Sequence, residues 1–313
     1  MVQDYGDITT DNEVWRPLRF DDVKPDIILR IRQVVDKIPD LPLSVGKIIE
    51  MTKDDESNLS EIVGLISSDP GLVSNILKVV NSSYYGLRNK TDNLHLAIVL
   101  LGYDEVRRIA VQSFFRRMIE DSQAHRRYTK QLWDHSYLVS VCAESFCKKD
   151  DTQRRGVYLT MGLLHDIGKF VLYHIAQMMK KKGITPAYPD GIPEKQFLMA
   201  KEETLYHINH PLVGYMLAEK WNLSERFKTV LQFHHYPSFY GMNEIPREFL
   251  EETTTISIAD ILVNRYLKNE NELPSPHPHF FDLIGLKPPI ESLLTEERVK
   301  LLDNARTYIT HLR

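Results

Sequence analysis

An all-α fold is predicted by three observations. Apolar residues recur at three- and four-residue steps through most of the chain. No sustained alternation of apolar and polar residues occurs, and no Asn-Gly or Asp-Gly pair joins two apolar runs as in a hairpin. Helix punctuation is frequent, with Asp69-Pro70 the clearest case: an N-cap acid followed by proline at the first helical position. The 313 residues include 42% hydrophobic and 26% charged ones. That is ample core material for one large domain or two ordinary ones.

Residues 1–25, with Pro17 and Pro25, show little periodicity and are expected to form an irregular lead-in. Ile27, Ile28, Ile31, Val34, Val35 and Ile38 form the first helical stripe, ending at Pro39. Leu43, Ile48, Ile49 and Met51 suggest a second helix, and Ile62, Val63, Leu65 and Ile66 a third. The helix after Asp69 carries Leu72, Val73, Ile76, Leu77 and Val80 and stops in Asn81-Ser-Ser-Tyr-Tyr-Gly86. Further helices are read at 93–101, ending at Gly102, and at 104–119, then near 128–149, 155–181, 194–206, 211–220, 224–236 and 250–268. Residues 182–193 read as a Gly/Pro-rich loop. A polar, Pro-rich segment at 270–278 leads to a last helix at 292–313. The expected organisation is the lead-in, a helical subdomain over 26–120, a helical core over 121–245 and a helical extension over 246–313.

A net charge of −4 gives no basic field that would favour nucleic acid or an anionic membrane. The two cysteines, Cys142 and Cys147, are expected on different helix faces, so no disulfide framework is available. The polar, acidic start and apolar runs no longer than Leu96 to Leu101 lead to the expectation of a cytoplasmic protein.

His165-Asp166, within Gly162-Leu-Leu-His-Asp-Ile-Gly-Lys169, offers an imidazole nitrogen and a carboxylate side by side, a pair suited to a divalent transition metal. Lys169 follows at i+3 from the acid and, on a helix, shares its face. It is expected either to pair with Asp166 or to place a cation beside a phosphate. Five more candidate ligands stand elsewhere: His135, His210, His234, His235 and Asp260. His210 precedes Pro211 and is expected just ahead of a helix. Asp260 sits in an apolar run, where an unpaired carboxylate is costly. Its alternative partner is Arg265. His135, His165, Asp166 and Asp260 suffice for one ion with open positions. Adding His210, His234 and His235 suffices for two, the arrangement that serves in-line phosphoryl displacement.

The chain resembles the HDOD proteins, a branch of the HD superfamily used in bacterial signalling. The likeness spans about residues 25–240 and rests on Leu41-Pro42, Ser68-Asp-Pro70, Leu77 to Gly86, Ala97-Ile98, Leu101-Gly102, Trp133-Asp-His-Ser136, Gly162 to Gly168, His210-Pro-Leu-Val-Gly214, Leu217-Ala218, Trp221 and His234-His235. It implies an N-terminal helical subdomain packed on an HD-type core, acting as a non-catalytic output module. The ligand set His135, His165, Asp166, His210, His234, His235 and Asp260, with Lys169, is also similar to that of the HD-GYP phosphodiesterases. Their Gly-Tyr-Pro signature is absent: Tyr-Pro-Ser-Phe-Tyr-Gly-Met follows His235. Two expectations stand side by side. One is a signalling output that binds a protein partner and carries a metal centre of one or two ions (iron, manganese, zinc or nickel). With no receiver or cyclase segment ahead of it, its input is expected from a partner or ligand. The other is a metal-dependent phosphohydrolase or phosphodiesterase acting on a nucleotide or cyclic nucleotide, with Asp166 and Lys169 in the catalytic machinery.

Other features read as structural. His207 is expected at the surface or behind the ligands, and His277 and His279 in a solvated loop. Arg107-Arg108, Arg116-Arg117 and Arg126-Arg127 lie among acids and are expected on a mixed helical surface. The segment 69–85 looks superficially like helix-turn-helix material but lacks base-reading side chains, so no DNA partner is expected.

Overall fold

Asp69 Oδ1 accepts from the Leu72 N–H at 3.1 Å and Asn93 Oδ1 from the Leu96 N–H at 3.0 Å. Two predicted helix starts are thus closed by their own side chains. Such boundaries recur through the computed structural model, which describes residues 15–50, 59–119, 123–148, 151–181, 183, 198–268 and 273–311. No strand occurs among the described residues, and the fold is all-α.

The helices are α1 (Pro25–Val35), α2 (Leu43–Glu50), α3 (Leu59–Ser67), α4 (Pro70–Val80), α5 (Leu94–Leu101), α6 (Tyr103–Ile119), α7 (Gln123–Glu144), α8 (Thr152–Leu164), α9 (Ile167–Lys181), α10 (Leu198–Tyr206), α11 (His210–Lys220), α12 (Glu225–Phe233), α13 (Leu250–Tyr266), α14 (Pro278–Leu283) and α15 (Glu296–His311). Short 3-10 turns join several of them. Most of the loop expected over 182–193 lies outside the described residues.

Two apolar cores form. The smaller gathers Ile62 and Ile66 of α3, Leu72, Ile76 and Val80 of α4, Ala97 and Ile98 of α5, and Ile109 of α6. The larger is built by α7, α8, α9, α11, α12 and α13, and takes in Ile31 and Val35 of α1. Helix α1 is fastened there by Lys220, whose ammonium donates to the carbonyls of Val35 at 3.2 Å and Asp36 at 2.8 Å. A lysine so placed satisfies carbonyls that the end of a helix leaves open.

The structure departs from the sequence reading at several places. The single helix expected over 155–181 is two, α8 and α9, meeting at His165-Asp166. The last helix begins later than expected, at Glu296, and α14 precedes it, starting where the Pro-rich stretch ends. Arg107 is buried and Arg108 mostly so, not on a mixed surface. Arg108 pairs with Glu105 at 3.2 Å and Glu144 at 2.5 Å, while Arg107 donates to the Ile48 carbonyl at 3.2 Å. Their buried charge is tolerated because each guanidinium meets acids or carbonyls. The side chains of Arg116, Arg117, Arg126 and Arg127 lie outside the described residues.

The lead-in is as expected over its described part, residues 1–14 lying outside the described residues. Residues 15–24 are irregular apart from one 3-10 turn, Phe20–Asp22, yet they are fastened to the larger core. Tyr240 donates to the Pro17 carbonyl at 2.5 Å, Trp15 meets Phe239 edge-on, and Phe20 meets Tyr215.

Candidate metal centre

The break between α8 and α9 aims the His-Asp pair. His165 ends α8, its N–H bonded to the Met161 carbonyl at 2.8 Å, and Asp166 accepts the Lys169 N–H at its carbonyl as α9 begins. Two glycines let the surrounding helices close on this break. A Cβ at Gly162 would lie 2.5 Å from the Ser140 Cα on α7, and one at Gly168 would lie 1.9 Å from the His210 carbonyl oxygen on α11.

Three imidazoles are oriented through their inner nitrogens. His165 Nδ1 lies 2.8 Å from the Gly162 carbonyl and His234 Nδ1 2.9 Å from the Leu231 carbonyl. Each Nδ1–H donates, which turns Nε2 toward the centre. His210 Nδ1 lies 2.7 Å from Glu202 Oε2, which also accepts the His210 N–H at 2.9 Å. His210 is the first residue of α11, with Asn209 as the cap, one position later than its expected place ahead of the helix.

All seven predicted ligands converge. Donor atoms of Asp166, His210, His234 and His235 lie within 4.8 Å of one another, as do those of His135, His165 and Asp260. The carboxylates join the two groups. Asp166 Oδ2 lies 3.3 Å from His165 Nε2 and 3.5 Å from His135 Nε2, while Oδ1 lies 3.2 Å from His210 Nε2 and 3.8 Å from His234 Nε2. Asp260 Oδ1 lies 3.0 Å from His135 Nε2 and 3.7 Å from His165 Nε2, and Oδ2 lies 3.7 Å from His235 Nδ1. Arg265 pairs with Glu291 instead of Asp260.

The donors fit a divalent transition metal. His135 Nε2, His165 Nε2, Asp166 Oδ1, His234 Nε2 and His235 Nδ1 are buried without a hydrogen bond of acceptable geometry. Buried polar atoms are ordinarily satisfied, so orphans facing one another call for a shared positive centre. Ligands about 2.1 Å from one ion stand about 3.0–3.4 Å apart, close to the separations found here. Glu202 and the carbonyls of Gly162 and Leu231 supply the outer hydrogen bonds that histidine ligands require.

The local fields divide these groups. Burial opposes charge on His165, but Asp166 and Asp260 overcome it and hold the imidazole up at about 10. His234 goes the other way: burial, then the neighbouring His165 and His210, push it down to about 3. Burial and the same crowding by His234 and His210 hold His235 well below its ordinary value. Burial disfavours the charged carboxylates, yet His165 and Lys169 hold Asp166, and His135 and His165 hold Asp260, well below the usual range.

Lys169 donates to Asp166 Oδ2 at 2.5 Å, the ion pair that the i+3 spacing allows. Above the ligands opens a cleft of about 530 Å3, whose walls include Tyr128, Gln131, Lys169, Asn264 and Lys268. Such a volume lies within the range of small-molecule sites. Tyr128 and Gln131 stand seven and four residues before His135 on α7, and Asn264 and Lys268 four and eight after Asp260, on or just past α13. The ligand-bearing face of each helix thus continues into the mouth, a signal the sequence carries but that a search for ligands passes over. Burial, then the charges of Glu202 and Asp166, keep the Tyr128 phenol protonated.

His207 stands exposed at φ 56°, and His277 and His279 face each other at 4.6 Å in another part of the chain; neither feature joins the centre.

Next to Glu202, Glu203 accepts from the Trp15 indole at 3.1 Å, the Leu18 N–H at 2.8 Å and Asn209 at 2.7 Å. Burial outweighs these donors and pushes its carboxyl from 4.5 up to about 7. The folded protein then keeps a proton between about pH 4.5 and 7 that the unfolded chain has released. This stabilisation is complete below that window and lost as pH rises through about 7. Urea midpoints measured from about pH 5 to 8 should therefore fall more in the wild type than in Glu203→Gln. Parallel profiles would contradict this assignment.

Comparison with known proteins supports the same architecture. A family model of the HDOD domain matches residues 38–237. An uncharacterized protein of Treponema pallidum is 26% identical over 203 residues, 62% of this chain and 35% of that longer protein, so the chain spans about a third of its relative. Among solved structures, an HDOD domain protein of unknown function from Geobacter sulfurreducens has a TM-score of 0.62 at 18% identity, covering 91% of this chain and 99% of its own. A Marinobacter aquaeolei protein with a proposed assignment to signal transduction has a TM-score of 0.64 at 18% identity, with 91% and 64% covered. A Shewanella amazonensis protein with a proposed assignment as a metal-dependent phosphohydrolase has a TM-score of 0.57 at 16% identity, with 90% and 97% covered. The structural likenesses establish the fold, and the family match across residues 38–237 of the 313 establishes that the chain belongs to the HDOD domain family.

Proposed function

We propose that this protein is a metal-dependent phosphohydrolase or phosphodiesterase whose centre holds two divalent ions and acts on a phosphorylated ligand in the cleft. The observation that carries this reading is the double engagement of Asp166 and Asp260. Each presents one oxygen to each donor group at the floor of an open cleft. One ion would be held by His135, His165 and Asp260, the other by His210, His234, His235 and Asp166, with both carboxylates available to both. When bound, two such ions supply Lewis acidity and a nucleophile at neutral pH. Nitrogen-rich ligation suits iron, manganese, zinc or nickel over magnesium or calcium. Lys169 offsets charge on the phosphate side, and the Tyr128 phenol, still protonated, is available as a hydrogen-bond donor. A nucleotide or cyclic nucleotide is the ligand class proposed.

A second reading keeps the metal but makes the protein a signalling output that works by contact with a protein partner. It is favoured by α5, where Leu96, Val99 and Leu100 are exposed by 46%, 62% and 42%. A cluster of exposed apolar side chains of this kind marks a surface for contact. The Marinobacter relative's name points the same way.

Elemental analysis of protein purified without chelator, followed by assay with p-nitrophenyl phosphate and bis(p-nitrophenyl) phosphate, separates the two. Bound metal with turnover abolished by chelator supports the hydrolase. Bound metal without turnover of either ester leaves the signalling reading. Absence of iron, manganese, zinc and nickel, with no uptake on addition, removes the metal centre itself.

A further inference from the structure

Two adjacent glutamates on α10 hold different partners. Glu202 Oε2 takes both the Nδ1–H and the backbone N–H of His210, at 2.7 and 2.9 Å, and is itself buried. One oxygen thereby fixes the ring's tautomer, its rotation and the first turn of α11 on which it stands. His210 Nε2 is left pointing at Asp166 Oδ1, 3.2 Å away, and at His235 Nε2, 3.0 Å away.

Glu203 gathers the irregular segment at the front of the chain. It holds Trp15 and Leu18 directly, and Asn209 spans from Glu203 to the Leu18 carbonyl at 3.2 Å. Asn209 also caps α11 at the Leu212 N–H, 3.2 Å away, so one side chain touches both the strap and the helix that begins with His210. On the other side the strap reaches the turn that follows His234-His235. There Arg19 stacks 4.5 Å above the Tyr240 ring, and Trp15 packs on Phe239 with centroids 5.4 Å apart. The strap thus holds side chains on both sides of one donor group's three histidines, Asn209 just before His210 and Phe239 and Tyr240 in the turn after His234-His235. The other group, His135, His165 and Asp260, is carried by α7, the α8–α9 break and α13.

We infer that Glu202 is a positioning residue for His210, and that residues 15–18, clamped by Glu203, hold Glu202 and His210 in register, so that the strap sets the affinity of one of the two ions alone. The inference rests on the reading of the seven side chains as a two-ion centre.

The test uses the full chain, stripped of metal and titrated with Mn2+ or Co2+. Glu202→Gln is expected to weaken one of two binding steps by about 10- to 100-fold, the usual effect of losing a carboxylate behind a histidine ligand. The other step should stay within about 3-fold, and Glu202→Asp should recover part of the loss. Trp15→Phe removes the indole donor but keeps an aromatic ring against Phe239. It should weaken the same step by a smaller factor, with an unfolding temperature close to wild type. A merely structural role would move both steps together with stability. Equal weakening of both steps, or none in Glu202→Gln, overturns the inference. If the wild type takes up no ion, the metal reading fails instead. Amide exchange then decides the positioning claim: Glu202→Gln and Trp15→Phe must both speed exchange at residues 210–213, and unchanged protection there rejects it.

Discussion

Asp166→Ala is expected to lower metal retention by more than the roughly 10- to 100-fold that losing a residue behind a ligand costs, with loss of both ions together. No other described side chain in the centre addresses so many partners. Its two oxygens lie within 3.8 Å of His135, His165, His210 and His234, and Lys169 donates to one of them. Removing the carboxylate takes a ligand from each donor group and also the counter-charge of a lysine whose side chain is only 14% exposed. Breaking a buried pair from one side costs about 3–5 kcal/mol because the remaining charge is stranded. Stability should thus fall by about that amount in metal-free protein, where no ion is present to lose. Elemental analysis gives the first number and urea unfolding in chelator the second. Replacing His135 instead should spare more metal, because its ring nitrogen faces only Asp166 and Asp260 among the described carboxylates. If Asp166→Ala retained metal at the wild-type level, the two-ion centre would be wrong.

Six of the seven donors could be read from the sequence because each is locally unusual: adjacent His-Asp, adjacent His-His, His before Pro, and an acid inside the apolar run of α13; His135 came from the Trp133-Asp-His-Ser136 stretch that carries the family resemblance. What holds them could not. Glu202 meets His210 from eight residues away, across the turn between α10 and α11, and nothing in the pattern of α10 marks it as different from its neighbours Glu203 and Lys201. The break at His165-Asp166 was hidden for a different reason. Leu163, Leu164, Ile167, Phe170 and Val171 keep a helical apolar period straight through it, so periodicity reports one helix where the backbone makes two. The strap was hidden because it has no period at all; its order comes from side-chain contacts with Glu203, Tyr240 and Tyr215 made far along the chain. Arg107 and Arg108 misled by charge, which ordinarily marks a surface, until the acids of α6 and α7 are seen to close around them. The fold class survived all of this because it depends on the sum of many local signals, whereas the outer support of the centre depends on a few long-range pairings.

Gly168→Ala tests how closely the fold and the centre are tied. An added Cβ would sit 1.9 Å from the His210 carbonyl oxygen and 2.7 Å from the Gly214 nitrogen, both backbone atoms that no rotamer change can clear. Helices α9 and α11 would have to part, moving His210 away from Asp166. Overpacking of this kind costs about 3 kcal/mol, and the donor group containing His210 should lose its ion at metal concentrations that saturate the wild type. Gly214 is the internal control. It faces the same seam, but a Cβ there would meet the Gly168 nitrogen and the Leu231 side chain at 3.6 Å, an ordinary contact distance. Gly214→Ala should accordingly change stability by less than about 1 kcal/mol, the ordinary helical preference of alanine working in its favour. Denaturant unfolding of the two variants, with metal content measured in parallel, separates close approach from helix propensity. Both glycines lie in helices, so propensity alone would make both substitutions neutral or stabilising. A large cost confined to Gly168 is what the His210 carbonyl requires. It would mean that the second glycine of Gly162-Leu-Leu-His-Asp-Ile-Gly168 serves the centre through the helix it admits, as the His-Asp pair serves it through the donors it presents.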